Sequence, residues 1–333
     1  MKILFLARRF WPDIGGVEKH VFEISRILIK KGHGVTIITQ SKGEGKKLEG
    51  IEVVRIPGTS KYTSEKIHVW KWIWKNKELI KKADIVHAHD VYWWYLPIKL
   101  LFLGKKSFIT FHGYETYPIS ISAIAIRKFS EWLASGNIIV GDFIKKRYFT
   151  IPNFVIYGGV NIPKSIKNPI KKESAIFFGR LDEHTGILDY AKAVDIIRKK
   201  YPDFDFKIVG DGELKNKLSK YNPVGFSKTP SKHLSGANFA FVSRYLSILE
   251  ALVHKKLVFA LYDNPVKEDY LKMAPFAKFI IIENSPEKLA EEVIFYLINA
   301  KKADELVNKG YDWAKKQTWE KVVNTYLKLW KIN

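Results

Sequence analysis

Short apolar runs rich in Ile, Val and Phe alternate with amphipathic helical stretches along almost the whole chain, and no other feature restricts the fold as much. The first series runs KILFLA, a helical pattern over 17–31, GVTIITQ, IEVVRIP, a helical pattern over 66–82, DIVHAHD, an amphipathic stretch and SFITFHG. Such alternation predicts parallel strands joined by helices that cover both faces of a sheet. After IPNFVIYGGVN and the basic segment IPKSIKNPIKKES the pattern restarts with AIFFGR, a helix over 186–200, DFKIVGDG, FAFVSR, a helix from 246, LVFALYD and KFIIIE. A chain of 333 residues exceeds one comfortable core. The expectation is an α/β protein of two Rossmann-like, doubly wound domains, 1–160 and 161–316, facing each other across a cleft.

The formal charge is +22, and it is spread over both halves: 26 basic and 13 acidic residues fall in 1–150, 30 and 21 in 151–333. Such a field suits anionic partners, whether phosphorylated small molecules, nucleic acid or a membrane face; a lysine-rich thermophile surface gives the same balance. The absence of cysteine excludes disulfides, thiolate nucleophiles and thiolate metal sites. MKILFLARRFW reads as a first strand rather than a signal peptide, and no apolar run reaches the length of a membrane span. A cytoplasmic protein, soluble or lying on a membrane surface, is expected.

In open sheets of this type ligands bind beyond the carboxyl ends of the strands, and the chemically distinctive residues follow strands. PDIGGVEKH puts Gly15 and Gly16 at the start of a helix, where backbone can approach an anion; Glu18 and His20 follow. HAHD and TFHGYE place His87, His89 and Asp90 at one strand end and His112 and Glu115 at another. Three histidines could hold zinc, but hydrogen bonding to substrate hydroxyls or to buried neighbours is the commoner use, and no metal is expected. DFD at 203–205 precedes its strand and is discounted as a metal motif. In the second half FFGRLDEHTG sets Arg180 behind Gly179, VGDGE ends a strand at Gly210, and SRYLSILEAL carries Arg244, Leu246, Ser247 and Glu250. Arginine is rare here, with three after residue 150. Arg180 and Arg244 both stand where a guanidinium fork and a helix amino terminus would together suit a diphosphate.

These stretches, in this order, resemble the retaining GT-B glycosyltransferases of glycosyltransferase family four, from PDIGGVEKHVFEISRILIKKGHGVTIIT through to KKQTWEKVVNTYLKLW. The resemblance implies a nucleotide-sugar donor, UDP- or GDP-linked, no cofactor, and transfer with retention and without an obligatory metal. It implies that Gly15 and Gly16 line the donor phosphates and acceptor, with Glu18, His20, His89, Asp90 and Glu115 on the acceptor side. His112 would lie beside the transferred sugar, and Arg180 would bind the diphosphate. Glu250 would hold the ribose, among donor contacts that include Gly179, Thr185, Gly210, Arg244, Leu246 and Ser247. It also implies that the segment from about 317 to 333 returns to the first domain. Two positions depart from the family pattern. Thr185 stands where a lysine is usual, and the first of two paired glutamates is missing, so Arg244 is a candidate replacement for the lost charge.

Two rival readings remain: a catalytically weak or silent nucleotide- or carbohydrate-binding relative, favoured by those departures, and a basic nucleic-acid binder, which leaves the strand-end histidines and glycines unexplained. VWKWIWKNKELIKK, with Trp70 and Trp74 one turn apart beside Lys71 and Lys75, and the later VYWWYLPIKLLFLGKK and ISISAIAIRKFSEWL mix aromatic residues with cations. That mixture suits the headgroup layer of an anionic bilayer, and with it a lipid-linked acceptor.

Overall fold

A computed structural model describes residues 1–58, 62–114, 116–166, 173–227, 229 and 231–332; Glu115 and positions 167–172 of the basic linker lie outside the described residues. The chain forms two units, one made of Met1–Ile156 together with the segment from Trp319, the other of Tyr157–Thr318.

The first unit is built on eight strands: β1 (Lys2–Ala7), β2 (Gly34–Thr39), β3 (Lys47–Leu48), β4 (Ile51–Arg55), β5 (Ile85–His89), β6 (Ser107–Phe111), β7 (Asn137–Val140) and β8 (Phe154–Ile156). Their order is β3-β4-β2-β1-β5-β6-β7-β8, parallel except for the β3–β4 edge. Every residue of β5, β6 and β7 is buried, as strands covered on both faces require. The order reverses between β1 and β5, so the crevice at their carboxyl ends is the favoured ligand position. The helix Gly16–Lys30 begins there and buries His20, Val21, Ile24, Ser25 and Leu28 along one stripe. Against it packs the helix Trp319–Trp330, which buries Val322, Val323, Tyr326, Leu329 and Trp330 at the spacing of a single helical face.

Two local readings change. The helix expected over 66–82 is two helices, Tyr62–Lys75 and Lys77–Lys82, broken at Asn76, whose side-chain amide donates to the Trp72 carbonyl (2.8 Å) and so competes with the helical ladder. Trp70 is not left over for a membrane: its indole N–H donates to the Trp93 carbonyl (2.8 Å) and its ring meets that of Trp93 edge-on. Trp74 is exposed. The more continuous apolar surface lies on the helix Ile121–Leu133, started by Ser120, whose Oγ accepts from the Ala123 amide (3.2 Å). Its solvent side carries Ile121, Ile126, Phe129 and Trp132. Lys128 Nζ donates to the Phe149 carbonyl (3.0 Å) and Glu131 accepts from the Ile151 amide (2.7 Å), which sets the exposed Phe149 and Ile151 beside that stripe.

The second unit has five parallel strands, β9 (Ser174–Phe178), β10 (Asp205–Val209), β11 (Phe239–Phe241), β12 (Leu257–Leu261) and β13 (Ile281–Glu283), in the order β10-β9-β11-β12-β13. Phe177, Tyr190, Phe206, Phe241 and Phe259 join in one aromatic core. The order reverses at β9, which delivers Arg180. A Cβ on Gly210 would lie 1.9 Å from the Gly179 carbonyl oxygen, so glycine is needed there for β9 and β10 to run out side by side.

Candidate active site

In the first unit the carboxyl ends of β5 and β6 and two helices converge on four histidines. Trp330 Nε1 donates to His87 Nδ1 (3.0 Å). An indole N–H can only donate, so neutral His87 carries its proton on Nε2 and passes it to Thr110 Oγ1 (2.8 Å). Thr110 Oγ1 also shares a hydrogen bond with Tyr326 OH (2.8 Å), and Tyr326 OH with His20 Nε2 (2.9 Å). Beside it, His89 Nδ1 lies 2.8 Å from His112 Nε2, the His20 and His112 rings meet at 4.8 Å, and the His112 amide donates to Asp90 Oδ1 (2.9 Å).

Burial holds all four rings neutral. It depresses His20, His87 and His89 well below the usual histidine range, with neighbouring imidazoles adding to the effect. Burial, His87 and Arg127 push His112 down to about 3. Arg127, buried on the helix Ile121–Leu133, donates through Nη2 to the Gly113 carbonyl and lies over the Tyr148 ring at 3.9 Å. It anchors the loop that carries His112. Of the expected acceptor-side residues, His20, His89 and Asp90 come together, around the His112 expected beside the transferred sugar. Gly15 caps the helix that carries His20, and a Cβ there would press on the Glu18 carboxylate, while Gly16 faces open space. A neutral imidazole can donate or accept a hydrogen bond to a sugar hydroxyl, and His112 is only partly covered.

In the second unit Arg180 follows β9, exposed, with Nε 3.2 Å from Asp182. Next comes a tight turn, Glu183–Thr185, closed by Gly186 at φ +74°, a conformation side chains resist. The helix Ile187–Lys200 starts there without a side-chain cap, so its amino terminus is open to an anion. Three carbonyls at the turn accept side-chain hydrogen bonds: Thr185 Oγ1 donates to Asp182 O (2.7 Å), Ser243 Oγ to Thr185 O (3.3 Å), and Arg244 Nη2 and Lys267 Nζ both donate to His184 O (3.0 and 3.4 Å). Along the helix Tyr245–Val253, the partly exposed Leu246, Ser247 and Glu250 share one face, whereas Tyr245, Ile248, Leu249 and the last three residues are buried. Glu250 thus stands on the partly exposed face, one to two turns beyond Arg244. Gly210 has the packing role given above.

Sequence reasoning missed Tyr326, Thr110, Arg127 and Lys267. An arginine in the apolar ISAIAIRKFSEWL was a usable signal for Arg127; nothing in PVKEDYLK marks Lys267.

Residues 14–163, a little under half of the chain, match the family described as Glycosyltransferase Family 4. An uncharacterized glycosyltransferase of Methanocaldococcus jannaschii is 26% identical over 355 residues, covering 97% of this chain and 96% of the relative. The alpha-monoglucosyldiacylglycerol synthase of Acholeplasma laidlawii is 26% identical over 304 residues, 76% and 74% of the two chains. The crystal structure of Anabaena HepE in complex with UDP and glucose superposes with a TM-score of 0.73 at 14% identity, covering 98% of each chain. The chain is a GT-B glycosyltransferase. In this glycosyltransferase the family match takes in Gly15, His20, His89 and His112, while the strand-end cations lie outside it.

Proposed function

We propose that the glycosyltransferase moves a sugar from a nucleoside-diphosphate donor, UDP- or GDP-linked, to a lipid-linked or membrane-associated glycan, working peripherally at the cytoplasmic membrane face. The observation that carries the donor half is the turn after β9. Its carbonyls are held by side-chain donors, the following helix presents uncapped amides, and Arg180 and Arg244 flank it. As the anomeric carbon–oxygen bond breaks, the diphosphate leaves with the electron pair. Preorganised amides and cations stabilise that growing charge without reorganising, which is the largest source of catalysis in such transfers. The neutral His112, with His89 and His20 behind it, would bind sugar hydroxyls. Glu250, on the partly exposed face of its helix, would accept from the ribose. Retention and independence from metal rest on the resemblance to family four. A lipid-linked acceptor is supported by the diacylglycerol-linked product in the name of the Acholeplasma relative.

Membrane docking is supported by the stripe Ile121, Ile126, Phe129 and Trp132 with Phe149 and Ile151, flanked by Lys145, Lys146 and Arg147. Among the described residues no helix is long and apolar enough to cross a membrane, so the association proposed is with its surface. Sedimentation with anionic and neutral vesicles tests this: preference for anionic vesicles at low salt, weakened by Trp132→Ser, is expected. Equal binding to both removes the membrane part alone.

The donor half is tested by incubating a nucleotide-sugar panel with lipid-phosphate acceptors and analysing the products by NMR, with and without chelator. Axial-to-axial transfer unaffected by chelator is expected. Nucleotide binding with no turnover on any acceptor would instead favour a silent relative, the reading that Thr185 supports.

A further inference from the structure

Among the described residues only two lysines are buried, Lys256 and Lys267, and the position of Lys267 is doubly unfavourable. An ammonium 2% exposed loses its hydration. Lys267 also stands in the first turn of the helix Pro265–Lys272, where the helix dipole disfavours a cation. Asn264 caps that turn by accepting from the Val266 and Lys267 amides (both 3.0 Å), which locks the backbone that carries the amine. A position with two such costs persists when something nearby needs the charge.

What lies nearby is the turn after β9. Lys267 Nζ donates to His184 O and comes within 3.6 Å of where a Cβ on Gly186 would be. Arg244 Nη2 donates to the same carbonyl (3.0 Å). Two neighbouring carboxylates are already shared with other cations, Asp182 with Arg180 (3.2 Å) and Asp189 with Lys192 (2.8 Å). That leaves Asp263, 3.9 Å from Nζ and more than half exposed, against two cations. We infer that Lys267 is a positioning residue for the donor diphosphate, holding the His184 carbonyl inward and placing beneath the turn the positive charge that Thr185 does not supply. The inference rests on the donor reading above. An anion on the outer side of the turn is then the missing counter-charge, and its binding offsets the cost of burying the amine.

Protonation reports this directly. Burial lowers the Lys267 amine to about 8, with Arg244 adding to the effect and Asp263, Asp189 and Asp182 opposing it. An arriving diphosphate favours the charged form, so binding at pH 8.5 takes up a proton. Calorimetry with UDP, GDP and ADP, repeated in buffers of different ionisation enthalpy, measures both affinity and uptake. For whichever diphosphate binds the wild type, Lys267→Met is expected to lower affinity about tenfold, as for loss of one charge-assisted contact. It should leave the matching monophosphate less affected and abolish the uptake. Adding Thr185→Lys to that variant should restore affinity. Lys267→Arg, which keeps the charge but cannot titrate, should bind near wild-type strength with no uptake, and serves if the methionine variant does not fold. Wild-type affinity and uptake in Lys267→Met, or wild-type uptake in Lys267→Arg, overturns the inference. Failure of the wild type to bind any of the three nucleotides overturns the donor reading itself, a distinct outcome.

Discussion

His89 shares a hydrogen bond of 2.8 Å with His112, and its other ring nitrogen, Nε2, is buried with no partner among the described residues. An unpaired buried N–H costs more than an unpaired lone pair, so His89 carries its proton on Nδ1 and donates it to His112 Nε2. His112 is then left with its proton on Nδ1.

The three buried imidazoles and the partly covered His112 make the fold acid-sensitive. Their folded pKa values lie below the ordinary value near 6.5, so the unfolded chain binds more protons between pH 6.5 and the folded values, about 3 for His112. Stability is therefore full above pH 6.5 and falls as pH drops through that window, by at most about 1.4 kcal/mol per pH unit for each histidine. Calorimetric melting from pH 7.5 to 5 should show Tm falling only below about 6.5, with a shallower fall in His87→Asn.

Tyr326→Phe removes the hydroxyl that joins Thr110 to His20 while keeping the ring. Leaving His20 Nε2 without its partner should cost about 1–3 kcal/mol and release the His20 tautomer. Nitrogen-15 shifts of the imidazoles should show His20 becoming a mixture while His87, held by Trp330, stays on Nε2–H.

Arg180→Ala should lower turnover by about 10²–10³, the range for one preorganised donor to a developing oxyanion, with an unchanged melting curve because the side chain is half exposed. Steady-state rates with the identified donor decide it.

Gly210→Ala drives a methyl into the Gly179 carbonyl and should destabilise the second unit at or above the upper end of the roughly 1–3 kcal/mol range for overpacking. Denaturant unfolding measures this, and a change near zero would mean that the β9 and β10 ends separate easily.

What could be read in the sequence, and what could not, divides on physical lines. β5, β6 and β9 are short runs buried along their whole length because both sheet faces are covered, and His89 at the end of β5, His112 just after β6 and Arg180 two residues past β9 were visible as polar residues at strand ends. Tyr326 was hidden because its partner His20 lies 306 positions away, and a tyrosine on an amphipathic helix looks like ordinary core. Lys267 was hidden because a lysine between Val266 and Glu268 reads as solvated; only the turn above it makes it unusual. Trp70 misled for the opposite reason, as an apparently surplus indole that Trp93 covers. The break at Asn76 depended on one side-chain hydrogen bond, which periodicity does not register.

The helix Trp319–Trp330 belongs to the first unit although the whole second unit is threaded between them in the chain. During synthesis, strands β1 to β8 therefore emerge with His20 and His87 lacking Tyr326 and Trp330, and wait for those partners while residues 157–318 are made. At about 5–20 residues per second the wait is roughly 10–30 s, long enough for the second unit to fold first. The half of the molecule that is written first is finished last, and a truncation anywhere in the second unit would leave its histidine cluster open.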